Sequence, residues 1–224
     1  MKKIYFLILF LITVFFLGKV TNVYASSYEV PILVYHSFGF QKSDKETASQ
    51  KHYRITPNTF EKQMKYLFDN AYHPITFSAF VDSLKNNTEL PSKAVVLSFD
   101  DGWKTQYTYA VPILEKYNFT ATFFIVSSYV GGRSYMSWDD LKYLADHNFE
   151  IGSHTKTHAM LTKVSSKKLT EELSKSKETL EEKLNVKIMS FAYPYYKQNI
   201  TAGNAVRSAG YIGARSGWRK FKNS

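Results

Sequence analysis

The sequence predicts a parallel α/β fold curled into a distorted (β/α) barrel, on three observations. Short apolar, β-branched runs alternate with amphipathic helical patterns along the chain, the signature of right-handed βα units around a parallel sheet. His36, Asp100, Asp101, His154 and Tyr195, the residues with chemical potential, all fall at or just past the C-terminal ends of predicted strands. A barrel gathers those ends around one mouth, whereas an open sheet spreads them along an edge, so the barrel is the expected closure. The chain has 224 residues and no repeat or low-complexity segment, so one domain is expected.

The first residues read as an address. Lys2 and Lys3 precede an apolar run from Ile4 to Leu17, and Val23-Tyr24-Ala25 resembles a small-residue cleavage site. Residues 1–25 are therefore expected to be a secretory signal peptide, with an uncleaved membrane anchor as the alternative. The apolar run is shorter than the roughly 20 residues that a spanning helix needs. Cysteine is absent, so neither a disulfide framework nor a lipid-modified cysteine can be built. The remaining chain, 26–224, is expected to work outside the cell, secreted or associated with the membrane or cell-wall surface.

Val30-Pro-Ile-Leu-Val-Tyr-His36 predicts a buried strand that presents His36, and the polar segment 41–54 a loop. Thr56 and Pro57 suit the N-cap and first position of a helix whose apolar face is Phe60, Met64, Tyr66 and Leu67. A short strand over His73–Phe77 and a helix through Phe80, Val81 and Leu84 follow. The apolar run from Ala94 to Phe99 predicts a strand ending in Asp100-Asp101-Gly102. Next come a helix over Tyr107–Tyr117 and a strand over Thr120–Val126, rich in β-branched and aromatic residues. Ser137-Trp-Asp-Asp140 is a capping box with Asp in place of Glu, opening a helix through Leu141 and Leu144. Phe149–Ser153 predicts a strand delivering His154-Thr-Lys-Thr-His158. A long helix over Ser166–Leu184 shows Leu169, Leu173, Leu180 and Leu184 on one face. Strand Ile188–Tyr193, a short helix near Ala202–Ser208 and strand-like Tyr211–Ala214 complete the pattern.

Neighbouring side chains on a continuing strand point to opposite faces, so Asp100 and Asp101 can share a site only where the strand stops and turns. Gly102 permits the turn. His154 and His158, four residues apart, lie on one face if they occupy a helical turn. Together with one aspartate they form a three-ligand set suited to a divalent metal, zinc first, with positions left open for water or substrate. If Asp101 is the ligand, Asp100 can take a proton from water that the cation acidifies. Water so activated attacks a carbonyl, and the oxyanion can be met by the cation and a backbone N–H such as that of Tyr195. His36 is the free histidine placed to protonate the leaving group. Trp103, Tyr135 and Trp138 are candidates for stacking on sugar rings. His52, His73 and His147 read as structural or exposed.

The whole chain carries 29 Lys and Arg against 19 Asp and Glu. A basic balance favours anionic polymers. Along Lys167 to Lys187, however, acids interleave with the lysines, the pattern of a solvated face. No nucleic-acid motif is present, and no nucleic-acid partner is expected.

Ser98-Phe-Asp-Asp-Gly102, His154-Thr-Lys-Thr-His158 and Phe191-Ala-Tyr-Pro-Tyr195 resemble the first three motifs of the polysaccharide deacetylases, the NodB-homology group of carbohydrate esterase family 4. The similarity runs from about Pro31 to Ser216. It implies a distorted (β/α) barrel that removes acetyl groups from N-acetylglucosamine polymers (biofilm polysaccharide, peptidoglycan or chitin-like), or O-acetyl groups from xylan in some members. Carried over motif by motif, Asp100 is the base, Asp101, His154 and His158 bind the metal, and Tyr195 lines the oxyanion site. Two departures stand out. The third motif commonly carries an arginine before its Pro-aromatic pair, and Phe191-Ala-Tyr193 offers none. The chain also stops at Ser224, soon after Gly210–Arg215, where many relatives continue into a strand bearing the catalytic-acid histidine, so the barrel is expected to lack that strand. Leu33-Val-Tyr-His36 resembles the opening strand of the biofilm poly-N-acetylglucosamine deacetylases, in which an N-terminal histidine fills the acid position. The alternative is a carbohydrate-binding relative without catalysis.

Overall fold

The computed structural model describes residues 30–39 and 53–217. The proposed leader, most of the loop at 41–54 with His52, and the last residues after 217 lie outside that range. The described chain runs β1 (Ile32–Tyr35), β2 (Ser37–Phe38), β3 (Arg54–Ile55), α1 (Pro57–Asp69), β4 (His73–Ile75), α2 (Phe77–Asn86) and β5 (Ala94–Asp101). A π-helical turn, Gln106–Ala110, leads into α3 (Val111–Lys116), then come β6 (Thr122–Ile125), α4 (Trp138–Asp146), β7 (Glu150–Ser153), α5 (Ser166–Leu184), β8 (Ser190–Ala192), α6 (Ile200–Ser208) and β9 (Gly213–Arg215).

Local chemistry explains several boundaries. Thr56 caps α1 by accepting from the Thr59 N–H, with Pro57 at the first position. Ser137 and Asp140 form a reciprocal capping box on α4. Asn87 and Asn185 end α2 and α5 in the left-handed conformation that asparagine tolerates.

Seven strands form one parallel sheet in the order β1-β5-β6-β7-β8-β9, with β4 also paired to β5. Both β1 and β4 pair with Val96, and both β1 and β6 pair with Ser98 and Phe99. A strand has two edges, so β4 and β6 share one edge of β5 in succession. Among the described residues β1 and β9 do not pair, so the sheet is a curled half-barrel rather than a closed ring. Laid flat, β9 would stand roughly 19 Å from β5, four strand spacings away. Arg215 on β9 nevertheless ion-pairs with Asp100 on β5, a contact that only strong curling allows.

The outer face of the sheet holds the main core. Leu97, Phe99, Phe123, Ile125, Ile151 and Phe191 meet Phe60, Met64, Leu114, Leu141, Leu173 and Leu180 from the surrounding helices. Phe99 and Phe123 stack at 4.7 Å, and Phe60 packs edge-on against Tyr35. The concave face is filled from below by α2: Phe77 and its neighbours Phe80 and Val81 pack on Val96, Phe124 and Ala192. Its N-terminus is fixed by Thr122, which accepts from the Phe77 N–H at 2.8 Å, and by Glu150, which accepts from the Ser78 N–H at 3.0 Å. A carboxylate at the first turn also suits the helix dipole.

Two local expectations change. The segment predicted as one helix over Tyr107–Tyr117 begins as a π turn, an irregularity that places Gln106 inward beneath the site. Residues 154–158 are not a helical turn: they form irregular loop, with Thr155 and His158 at φ 69 and 61. The two histidines converge because the backbone bends, not because helical periodicity aligns them.

Gly152 on β7 faces the concave core, where a Cβ would stand 2.6 Å from the Phe124 ring and 2.6 Å from Ser190 Oγ. Gly152→Ala should destabilise the protein by about 1–3 kcal/mol in denaturant unfolding. Phe124→Leu should offset part of that loss in the double variant; simple additivity would refute the clash.

Candidate active site

Strand β5 delivers two carboxylates to the C-terminal rim. Pairing persists through Asp101, opposite Ile125, so the strand does not end before the second acid. The reversal lies in Asp101 itself, at φ 74, followed by Gly102 at φ 79. This left-handed step breaks the alternation that would send the two side chains to opposite faces. A Cβ on Gly102 would sit 3.2 Å from Ile125 Cδ1 as well as being strained, so glycine is favoured there.

Asp101 Oδ1 lies 3.5 Å from His154 Nε2 and 3.3 Å from His158 Nε2. Ligands about 2.0–2.1 Å from a tetrahedral centre stand about 3.3–3.4 Å apart, so these spacings fit a divalent cation. Hydrogen bonding prepares the same atoms. His154 Nδ1 is 2.8 Å from the Ala192 carbonyl, which can only accept, so Nδ1 carries the proton and Nε2 keeps its lone pair. Trp103 Nε1 donates to Asp101 Oδ2 at 2.9 Å, leaving Oδ1 toward the histidines. Burial opposes charge on Asp101, but its bonds to His154 and His158 outweigh it and hold the carboxyl well below the usual range.

Asp100 is 1% exposed and faces a different set of groups. Its Oδ1 is held by Arg215, itself 5% exposed, while Oδ2 stands 3.7 Å from His36 Nε2. One oxygen is thus occupied and the other faces the histidine. β9 thus supplies an arginine to Asp100, although Phe191–Tyr193 holds none. Burial lowers the pKa of His36, and the nearby Asp100 and Asp101 charges raise it without making up the difference. Its Nε2 is 3.4 Å from the Tyr196 hydroxyl, and its ring packs on Tyr53 at 4.6 Å. Beneath the pair, Gln106 Nε2 donates to both the His36 carbonyl at 2.7 Å and the Asp100 carbonyl at 2.5 Å, tying the ends of β1 and β5 together.

Tyr195, at φ 57 and 51% exposed, lays its ring 4.7 Å from that of His158. Trp103 and Tyr135 are joined by an antiparallel bridge and stack at 4.7 Å beside Asp101. Trp138 instead opens α4 and packs half-buried against the main core. His73 begins β4 at the opposite end of the sheet, and His147 caps α4 and stacks on Tyr143.

Sequence reasoning passed over Arg215, Gln106, Tyr196 and the Trp103 indole as a donor to Asp101. Arg215 falls just past the predicted strand Tyr211–Ala214 and ends β9, so the strand-end rule that singled out the other residues points to it as well. Gln106 carries no such signal, because its role depends on a π turn that periodicity reads as ordinary helix.

The Asp100–Arg215 pair predicts a strong asymmetry. Arg215→Met should cost about 3–5 kcal/mol in unfolding free energy, because Asp100 is left charged and buried. Asp100→Asn combined with Arg215→Met should cost less than Arg215→Met alone, and the reverse order would show that the pair does not carry the loss.

The family model for polysaccharide deacetylases matches residues 87–214, more than half of the chain. The poly-β-1,6-N-acetyl-D-glucosamine N-deacetylase of Staphylococcus aureus strain NCTC 8325 is 28% identical over 185 residues, covering 76% of this chain and 62% of that protein. Among solved structures, the Streptococcus pyogenes deacetylase PplD in complex with acetate aligns with TM-score 0.74 and 26% identity, over 82% of this chain and 81% of that one. IcaB from Ammonifex degensii aligns with TM-score 0.68 and 26% identity, over 81% and 82%. The chain spans 62% of the length of the curated relatives it matches. The motifs, the curled parallel sheet and the family match agree: this chain belongs to the polysaccharide deacetylase family.

Proposed function

We propose that this chain is a metal-dependent hydrolase that removes N-acetyl groups from an N-acetylglucosamine polymer at the cell surface, with zinc as the native ion. The observation that carries the reading is the division of labour at the end of β5, where Asp101 faces two histidines and Asp100 faces Arg215 and His36. Asp101, His154 and His158 would hold the ion, and their mixed nitrogen and oxygen donors suit zinc. Once bound, such an ion supplies Lewis acidity that polarises a carbonyl and acidifies water.

The protein groups carry the protons. Asp100 Oδ2, its partner oxygen tied to Arg215, accepts a proton from water as the water oxygen bonds the acetyl carbon. The Tyr195 N–H, next to a proline that has none, is the proposed donor to the oxyanion. As the C–N bond breaks, His36 in its protonated form delivers a proton to the departing amine. Its lowered pKa makes that proton easy to surrender. Acetate and the free amine leave. Trp103 and Tyr135 offer a stacked aromatic wall beside the ligands, suited to the face of a sugar ring. Similarity to the Staphylococcus aureus enzyme favours a poly-β-1,6-linked polymer, and the Lys2–Ala25 leader pattern favours export.

Purified protein should release acetate from N-acetylglucosamine oligomers, stop on treatment with a chelator and recover with zinc. Absence of acetate from all N-acetylated polymers, with metal bound, would refute the reading; preference for O-acetylated xylan would transfer it to the ester substrate. Asp100→Asn should lower turnover roughly 100-fold or more while metal content holds. His36→Ala should also lower turnover at normal metal content, and metal loss in that variant would make His36 a ligand instead of the acid.

A further inference from the structure

Helix α5 packs on the sheet through Leu169, Leu173, Leu180 and Leu184, yet two polar side chains share that buried face, Glu172 and Ser176. Glu172 is 0% exposed. Its carboxylate does not point at solvent or at another helix but into the loop between the two histidines. Oε2 accepts from the Thr157 N–H at 2.7 Å, Oε1 accepts from the Thr157 hydroxyl at 2.6 Å, and Lys168 Nζ lies 3.1 Å from Oε1. The Glu172 backbone carbonyl accepts from the Lys156 N–H at 3.1 Å. One turn on, Ser176 Oγ is 2.8 Å from Ser153 Oγ, on the residue before His154. The loop is thus gripped on successive residues from a single helix.

The grip falls where the backbone needs it. Thr155 and His158 on either side of the gripped residues are left-handed, at φ 69 and 61, and a β-branched threonine in that region is a genuine outlier. Such conformations persist only where surrounding contacts over-determine them. His154 has its own anchor in the Ala192 carbonyl. His158 has its ring against the half-exposed Tyr195, so the placement of its Nε2 depends on the peptide that precedes it.

We infer that Glu172 is a positioning residue for the metal site: by holding both the N–H and the hydroxyl of Thr157, it sets His158 Nε2 opposite Asp101 Oδ1. It touches neither ion nor substrate. The inference rests on the reading of Asp101, His154 and His158 as ligands, and the test separates the two.

Zinc affinity is measured on the folded full chain by competition with a chromophoric chelator, beside the visible spectrum of the cobalt(II) form and the melting temperature of the metal-free form. The wild type should bind one zinc ion, and Asp101→Ala should abolish binding. Glu172→Gln turns one acceptor into a donor facing Thr157 and should weaken zinc binding roughly ten- to a hundredfold and alter the cobalt spectrum. Thr157→Val removes one bond from the loop side and should weaken binding in the same direction. A Glu172→Gln protein that melts earlier but binds zinc as the wild type does, with an unchanged cobalt spectrum, overturns the inference by showing a merely structural role. If Glu172→Gln does not fold, unchanged affinity in Thr157→Val overturns it equally. A wild type that binds neither ion overturns the ligand reading itself.

Discussion

The left-handed turn of the backbone at Asp101 is the constraint on which the site depends. Two adjacent residues of a strand cannot aim at one place while the pleat continues. At φ 74 Asp101 leaves the pleat while its pairing with Ile125 is still in force, so the second carboxylate arrives beside the first without losing the strand that holds it. Strand β5 can bear the strain because it is paired with β1, β4 and β6 and because Phe99, just before the acids, stacks between Tyr35 and Phe123.

From that turn follows a separation of chemical environments. Asp101 opens toward two imidazoles and an indole N–H, Asp100 toward a guanidinium and a third imidazole. Carboxylates this near each other would repel if both faced one another in a dry site, and each is instead matched by its own donors. The arrangement also explains the curl of the sheet. Asp100 and Arg215 come from strands separated by β6, β7 and β8, and their buried contact requires the sheet to bend toward closure without β1 and β9 pairing.

The rim pays for its geometry in backbone strain. Asp101, Thr155, His158, Tyr195 and Tyr196 all have positive φ, conformations that cost about 1–3 kcal/mol each for residues with a Cβ. Side-chain hydrogen bonds offset this: buried Gln106 joins the ends of β1 and β5, half-buried Trp103 fixes the Asp101 carboxylate, and buried Glu172 holds the loop of the histidines. The lower end of the sheet is closed by α2 and its Thr122–Glu150 cap.

The linear sequence by itself determined the alternation of strands and helices, the starts of α1 and α4, the span of α5 and the strand ends at which the chemistry sits. These follow from periodicity, capping and turn residues, which act over a few positions of chain. Asp100, Asp101, His154 and His158 were legible because their spacing survives as a motif. Only the tertiary structure decided that residues 154–158 are irregular loop, that the turn begins in Asp101, and that Trp138 packs against the core while Trp103 faces Asp101. It alone brought Arg215 to Asp100 across 115 positions and Glu172 to Thr157 across 15. The reason is physical: burial and sheet curvature choose the partner of a charged side chain, and neither leaves a periodic trace in the chain around it.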